Sequence, residues 1–151
     1  MKSETFDDLI KWNAGIHEML ADRMRKGADH NSDERAKSLL IYLAGHEQTL
    51  AEEVCKFGNR ADDRALNTWV SEHVSEELLP KNGRKIDFDS GDYEQISKEV
   101  VDIHNQIMDL YYAMVERAAI PEAKDVMQEL YDLHKHEMLR LSDQINNGRS
   151  L

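Results

Sequence analysis

The chain has 151 residues, of which 40% are apolar and 32% charged, a balance typical of one soluble globular domain over 1–151. Thirty acidic residues against nineteen basic ones give a net charge of −11, which argues against a nucleic-acid partner. Apolar runs are at most six residues long, so we expect neither a membrane span nor a signal peptide. A single cysteine, Cys55, excludes an internal disulfide framework, and we expect a cytoplasmic protein.

Apolar residues that recur three and four positions apart predict four long helices, at about 4–27, 33–57, 92–118 and 122–146. Gly27 and Gly58 are expected to end the first two helices. Asn31 and Glu34 are spaced like a capping box at the start of the second helix. Pro121 suits the first turn of the fourth helix, because its missing N–H costs nothing there.

The segment 58–91 is too long for a tight turn between the second and third helices. We expect it to hold a short helix, with Trp69 docked against the bundle. Strand patterns are nearly absent, and "RKIDFD" at 84–89 is the one short candidate. The short turns make the flanking helix pairs antiparallel. The sequence therefore predicts an all-α, up-and-down four-helix bundle of two hairpins joined by a long crossover.

Each helix places one metal-ligating residue on or near its apolar face. At 100° per residue, Glu47 and Glu137 lie within about 40° of the centres of their faces. His17 lies about 40° and His104 about 60° from theirs. We therefore expect these four side chains to meet in the middle of the bundle.

The two halves of the chain share a sparse internal repeat. "IHEML" at 16–20 parallels "IHNQI" at 103–107, and "ERAKSLLIYLAGHEQTL" at 34–50 parallels "PEAKDVMQELYDLHKHEML" at 121–139. The separation between the inward histidine and glutamate is 30 residues in the first half and 33 in the second. In this repeat Glu47 aligns with Glu137, and the second copy is slightly longer.

The hairpins, the crossover and the repeated residues resemble the rubrerythrin and ferritin-like superfamily. In that family, each hairpin supplies one glutamate from its first helix and a Glu-x-x-His motif from its second, and together these hold two irons. Glu47 and Glu137 match the glutamates of the Glu-x-x-His motif. His17 and His104 stand where the family has its lone glutamates. The resemblance implies a ferritin-like fold with a metal site in the bundle core.

Leu50 and Arg140 stand where the family has its metal-binding histidines, so the di-iron motif is incomplete. The resemblance then implies one ion, and two imidazoles with two carboxylates suit iron, manganese or zinc. His134 could add a ligand, because it lies three residues before Glu137 on the same helix face. The chemistry implied is oxygen, peroxide or iron handling. No motif identifies a substrate or assigns a catalytic residue.

The same four residues also form two buried His–Glu pairs that need no metal, since buried charge is tolerated when paired and hydrogen-bonded. In that case the protein is a helical scaffold that binds a protein partner or a second copy of itself. Homodimerisation is compatible with either function. The candidate docking surface is one side of the crossover, formed by Trp69, Val70, Val74 and Leu78.

Overall fold

Helices make up nearly all of the computed structural model, which describes residues 5–66, 87–118 and 120–149. The helices in these ranges are α1 (Phe6–His30), α2 (Glu34–Arg60), α3 (Asp63–Leu66), α4 (Tyr93–Arg117) and α5 (Pro121–Arg149). No strand occurs among the described residues, so the predicted all-α class is confirmed there. None of the described helices is both long and apolar enough to cross a membrane.

Capping side chains satisfy the first N–H groups of α1, α2 and α4. The side chain of Asp33 caps α2 by accepting from the backbone N–H groups of Arg35 and Ala36, so the predicted capping box of Asn31 and Glu34 is wrong. Asn31 instead ends α1, and its backbone N–H donates to Gly27 O. Pro121 is the first residue of α5, as predicted.

Gly27 lies inside α1, which continues to His30, so this glycine does not end the helix as predicted. It is buried, and a Cβ at this position would lie 2.5 Å from the Cβ of Phe88. Gly27 therefore permits a close approach between α1 and the turn at 87–90. The sequence pattern shows the glycine but not the side chain that packs on it, which is 61 residues away.

One end of the bundle is held by hydrogen bonds between the two hairpins. The side chain of Asn31, after α1, donates to Gly91 O just before α4, at 3.0 Å. Arg35, at the start of α2, donates to Gly148 O near the end of α5, also at 3.0 Å. Because α2 and α4 both begin at this end, they run parallel, whereas α1 and α5 run the opposite way.

The connection between α2 and α4 therefore begins and ends at opposite ends of the bundle. At its start, Arg64 of α3 lies 3.6 Å from Glu122, near the beginning of α5 and at the opposite end from Asn31. A helix of 25 residues is about 37 Å long, so the end of α2 and the start of α4 are separated by roughly this distance. The predicted docking of Trp69 lies outside the described residues. Asp87–Ser90 form a turn region rather than the end of a strand.

The two hairpins repeat with an offset of 87 residues at every helix boundary except the last, where Arg149 lies 89 residues after Arg60. α4 begins at 93 and ends at 117, against 6 and 30 for α1, and α5 begins at 121, against 34 for α2. The N-cap residues Thr5 and Asp92 have the same offset, and each forms a capping box. Since α1 and α4 begin at opposite ends, the hairpins are related by an approximate twofold axis perpendicular to the helices.

Candidate metal centre

Four ionisable side chains occupy the middle of the bundle, one from each long helix. His17 of α1 and Glu47 of α2 are 0% exposed, and His104 of α4 and His134 of α5 are 1% exposed. The offset of 87 residues relates His17 to His104 and Glu47 to His134. The approximate twofold axis thus brings two pairs of equivalent positions together at one level.

The carboxylate of Glu47 lies between two imidazoles. Its Oε2 is 2.5 Å from Nδ1 of His17, and its Oε1 contacts Nε2 of His104. The two imidazole rings are stacked with their centroids 5.4 Å apart. One ligand atom from each of these three residues lies within 4.8 Å of those of the other two. This spacing allows all three residues to bind the same ion.

A chain of hydrogen bonds places a hydrogen on Nε2 of His17. Nδ1 of His134 is 3.0 Å from the carbonyl oxygen of Leu130, which only accepts, so this nitrogen carries a hydrogen. Burial lowers the pKa of His134 to about 3, so its ring is neutral and its Nε2 accepts. That nitrogen is 3.0 Å from Nε2 of His17, which must therefore donate.

Nδ1 of His17 then has two chemical options opposite Glu47. Without a metal, Nδ1 carries the second hydrogen of the ring, and the resulting imidazolium donates to the Glu47 carboxylate. With a metal the ring is neutral, and the lone pair of Nδ1 binds the ion. The hydrogen bond from the other ring nitrogen orients the imidazole in both cases, as outer partners commonly do for metal-ligating histidines.

The electrostatics of the centre favour an ionised Glu47. Burial by itself would raise the pKa of this carboxyl group. The charges and hydrogen bonds of His104 and His17 outweigh burial and hold the pKa of Glu47 well below its usual value. The ionised carboxylate can therefore accept hydrogen bonds from two imidazoles or bind a cation.

Glu137, which the sequence analysis placed in the centre, lies to one side of it. Its side chain is 13% exposed, with Oε2 3.7 Å from Nδ1 of His46 and Oε1 3.5 Å from Nη1 of Arg140. The position equivalent to Glu47 is His134, which the sequence analysis named only as an additional ligand. An available signal was missed: His17 and Glu47 are 30 residues apart, and so are His104 and His134.

Several polar atoms around the centre have no hydrogen-bond partner among the described residues. They include Nδ1 of His104, Nε2 of His46 and the hydroxyl of Tyr111. Tyr111 is 0% exposed, burial raises its pKa well above the usual value, and its ring centroid is 5.0 Å from that of His134. Leu50 is buried and apolar, so it supplies no ligand. The centre is therefore surrounded by several polar atoms that could still form a hydrogen bond.

In comparisons with known proteins, no family model, no curated protein and no solved structure matches this chain.

Proposed function

We propose that this protein binds one divalent metal ion in the core of a ferritin-like four-helix bundle, through His17, Glu47 and His104. The observation that carries the proposal is the pair of imidazole nitrogens facing the two oxygens of one buried carboxylate. In addition, His134 and the Leu130 carbonyl orient His17 so that its Nδ1 is the nitrogen directed at Glu47.

The donor set fits a cation because the ion would replace hydrogens that the metal-free centre must hold. Nδ1 of His17 and Nε2 of His104 each donate a hydrogen to Glu47 when no metal is bound. A metal ion takes the place of those hydrogens and leaves the bond from His17 to His134 intact. Buried polar atoms that keep a partner in both states avoid the desolvation cost of an unpaired group.

Two imidazoles and one carboxylate suit iron, manganese or zinc, and three protein ligands leave at least one coordination position open. The bound ion would supply Lewis acidity and, for iron or manganese, one-electron chemistry. The role proposed is therefore oxygen, peroxide or iron handling. The two hairpins, offset by 87 residues, are compatible with the duplicated architecture that this role requires.

The metal content of the purified, untagged protein tests this proposal. We expect inductively coupled plasma mass spectrometry to find about one ion per chain after reconstitution, a stoichiometry set by the three clustered donors. Glu47→Gln should lose the ion, because the amide replaces the shared carboxylate. Glu137→Gln is the matched control and should keep it, since Glu137 lies outside the cluster. Wild-type protein that remains metal-free with iron, manganese and zinc would overturn the proposal.

A second candidate is a metal-free helical scaffold. It is favoured by the hydrogen bonds of the centre, because an imidazolium at His17 satisfies both its own nitrogens and one oxygen of Glu47 without an ion. The thermal unfolding midpoint distinguishes the two functions. A metal that binds only the folded state raises this midpoint, and a strong chelator reverses the effect. For the scaffold, neither addition changes it.

A further inference from the structure

A second pair of metal-ligating side chains lies between the buried centre and the surface. The side chains of His46 and Glu137 are 7% and 13% exposed. Nδ1 of His46 and Oε2 of Glu137 are 3.7 Å apart, which is too long for a hydrogen bond. Two ligands bound to one ion at about 2.1 Å each have this separation when the angle between them is about 120°.

His46 also faces the buried centre. It precedes Glu47 in α2, and its ring meets the His104 ring edge-on, with centroids 6.0 Å apart. Its Nε2 is buried and has no partner among the described atoms. On the outer side, the ring of Tyr42 stacks on His46 at 6.4 Å and is 36% exposed. Groups able to contact a cation therefore continue from the surface to the centre.

On the other side of Glu47 along α2, the neighbouring buried side chain is apolar. Leu50, three residues after Glu47, is 1% exposed and has no atom that binds a cation. Along α2, the carboxylate of Glu47 therefore has a metal-ligating histidine, His46, on one side and an apolar residue, Leu50, on the other. The polar side faces Glu137, and the other side presents a buried apolar side chain.

We propose that His46 and Glu137 form a transfer site through which a divalent cation reaches and leaves the buried centre. This inference rests on the metal-binding function proposed above. The transfer site offers two protein ligands, whereas the centre offers three, so the ion is bound more tightly in the centre and only briefly by the pair. His46 can release the ion inward because its ring contacts that of His104.

Arg140 opposes the cation at this transfer site. Its Nη1 is 3.5 Å from Oε1 of Glu137, and its side chain is 67% exposed. The guanidinium competes with an incoming ion for the same carboxylate. Removing the positive charge should therefore speed metal uptake, whereas removing the carboxylate should slow it. If Glu137 had only a structural role, substitutions of Glu137 and Arg140 would not change the rate of metal uptake in opposite directions.

Stopped-flow uptake of Co²⁺, followed by its visible absorption, tests the transfer site on the full-length protein. Glu137→Gln should slow both uptake and chelator-driven release about tenfold, at unchanged equilibrium affinity and with one ion per chain. Arg140→Gln should speed uptake. Asp143→Asn removes the same charge from an exposed position of α5 and should leave both rates near those of the wild type.

The outcomes separate this inference from the function on which it rests. If wild-type protein binds one Co²⁺ and the rates of the Glu137 and Arg140 variants equal those of Asp143→Asn, the transfer site is refuted and the centre stands. A wild type that binds two ions, one of them lost in Glu137→Gln, also refutes transfer, because the pair is then a resident site. If the wild type and Glu47→Gln bind no Co²⁺, both proposals fail. The exposed Arg140 variant keeps the test valid even if Glu137→Gln is unstable.

Discussion

Nδ1 of His17 and Oε2 of Glu47 lie 2.5 Å apart between two antiparallel helices, and both side chains are fully buried. The pair joins α1 to α2, and the bonds from Glu47 to His104 and from His17 to His134 extend it to α4 and α5. A group of this kind is stable only while its charges are balanced. The centre is therefore sensitive to the loss of any one member, to pH and to metal.

Replacing Glu47 with glutamine should destabilise the metal-free protein strongly. The substitution leaves a buried imidazolium without its counter-charge, and breaking a buried pair from one side costs about 3–5 kcal/mol. Urea unfolding in the presence of a chelator measures the loss. Glu137→Gln is the comparison: its partner Arg140 is largely exposed, so the expected loss is below about 1 kcal/mol. Equal losses in the two variants would contradict the balance of charge inferred for the centre.

The stability of the metal-free protein should fall as the pH is lowered below 6.5. The pKa of His134 drops from 6.5 to about 3 on folding, because burial disfavours its charged form. Between these values the unfolded chain binds more protons, so the free energy of unfolding decreases towards low pH, by up to about 1.4 kcal/mol per pH unit for this group. The lowered pKa of Glu47 adds a loss in the same direction below its ordinary value of 4.5.

Urea unfolding at a series of pH values with chelator present measures this dependence. His134→Gln removes the titrating group, so its stability should change less between pH 6.5 and 4.5 than that of the wild type. A variant whose slope over this range matches that of the wild type would show that His134 is not the group responsible.

Two tyrosines should respond in opposite ways to loss of their hydroxyl groups. The hydroxyl of Tyr111 is buried without a partner among the described residues, whereas that of Tyr93 donates to Ile145 O at 2.8 Å. Tyr111→Phe should be neutral or stabilising, because no hydrogen bond is lost. Tyr93→Phe should cost about 1 kcal/mol. Thermal and urea unfolding of the two variants measure both effects, and a large loss for Tyr111→Phe would reveal a partner for its hydroxyl.

Two glycines of α1 provide a matched test of helix packing. Gly27→Ala would place its Cβ against Phe88, and such overpacking costs about 1–3 kcal/mol. Gly15 has nothing within 4 Å of an added Cβ, so Gly15→Ala should stabilise the helix by about 0.5–1 kcal/mol. Urea unfolding measures both changes. Stabilisation by alanine at both positions would contradict the close contact between α1 and the turn at 87–90.

The sequence predicted those features of the fold that arise from local periodicity. Apolar spacing located the four long helices to within a few residues, and the length of the crossover predicted that the hairpins do not follow each other by a tight turn. The role of Gly27 could not be predicted, since it depends on Phe88 in a distant turn. Helix periodicity carries no information about which residues of different helices pack together.

The candidate centre was predictable in part, because helix periodicity shows which residues of each helix face the core. His17, Glu47 and His104 are brought together by helix faces that the sequence analysis had already assigned to the core. Glu137 was aligned with Glu47 because both follow a histidine, and this match of residue types obscured the equal spacing that relates Glu47 to His134. The spacing between residues identifies equivalent positions in the two hairpins directly, whereas the residue type at a position can change as the two copies diverge.

The parallel course of α2 and α4 has a consequence for how the molecule folds. Each hairpin joins helices that are close in sequence, so its own contacts close short loops and can form early. The first hairpin already contains both His17 and Glu47, whereas His104 and His134 arrive only with the second. We therefore expect the meeting of the two hairpins, which closes the longest loop, to be the slow step and to remove the Glu47 carboxylate from water. We expect substitutions in the centre to alter the rate of hairpin docking far more than the rate of hairpin formation.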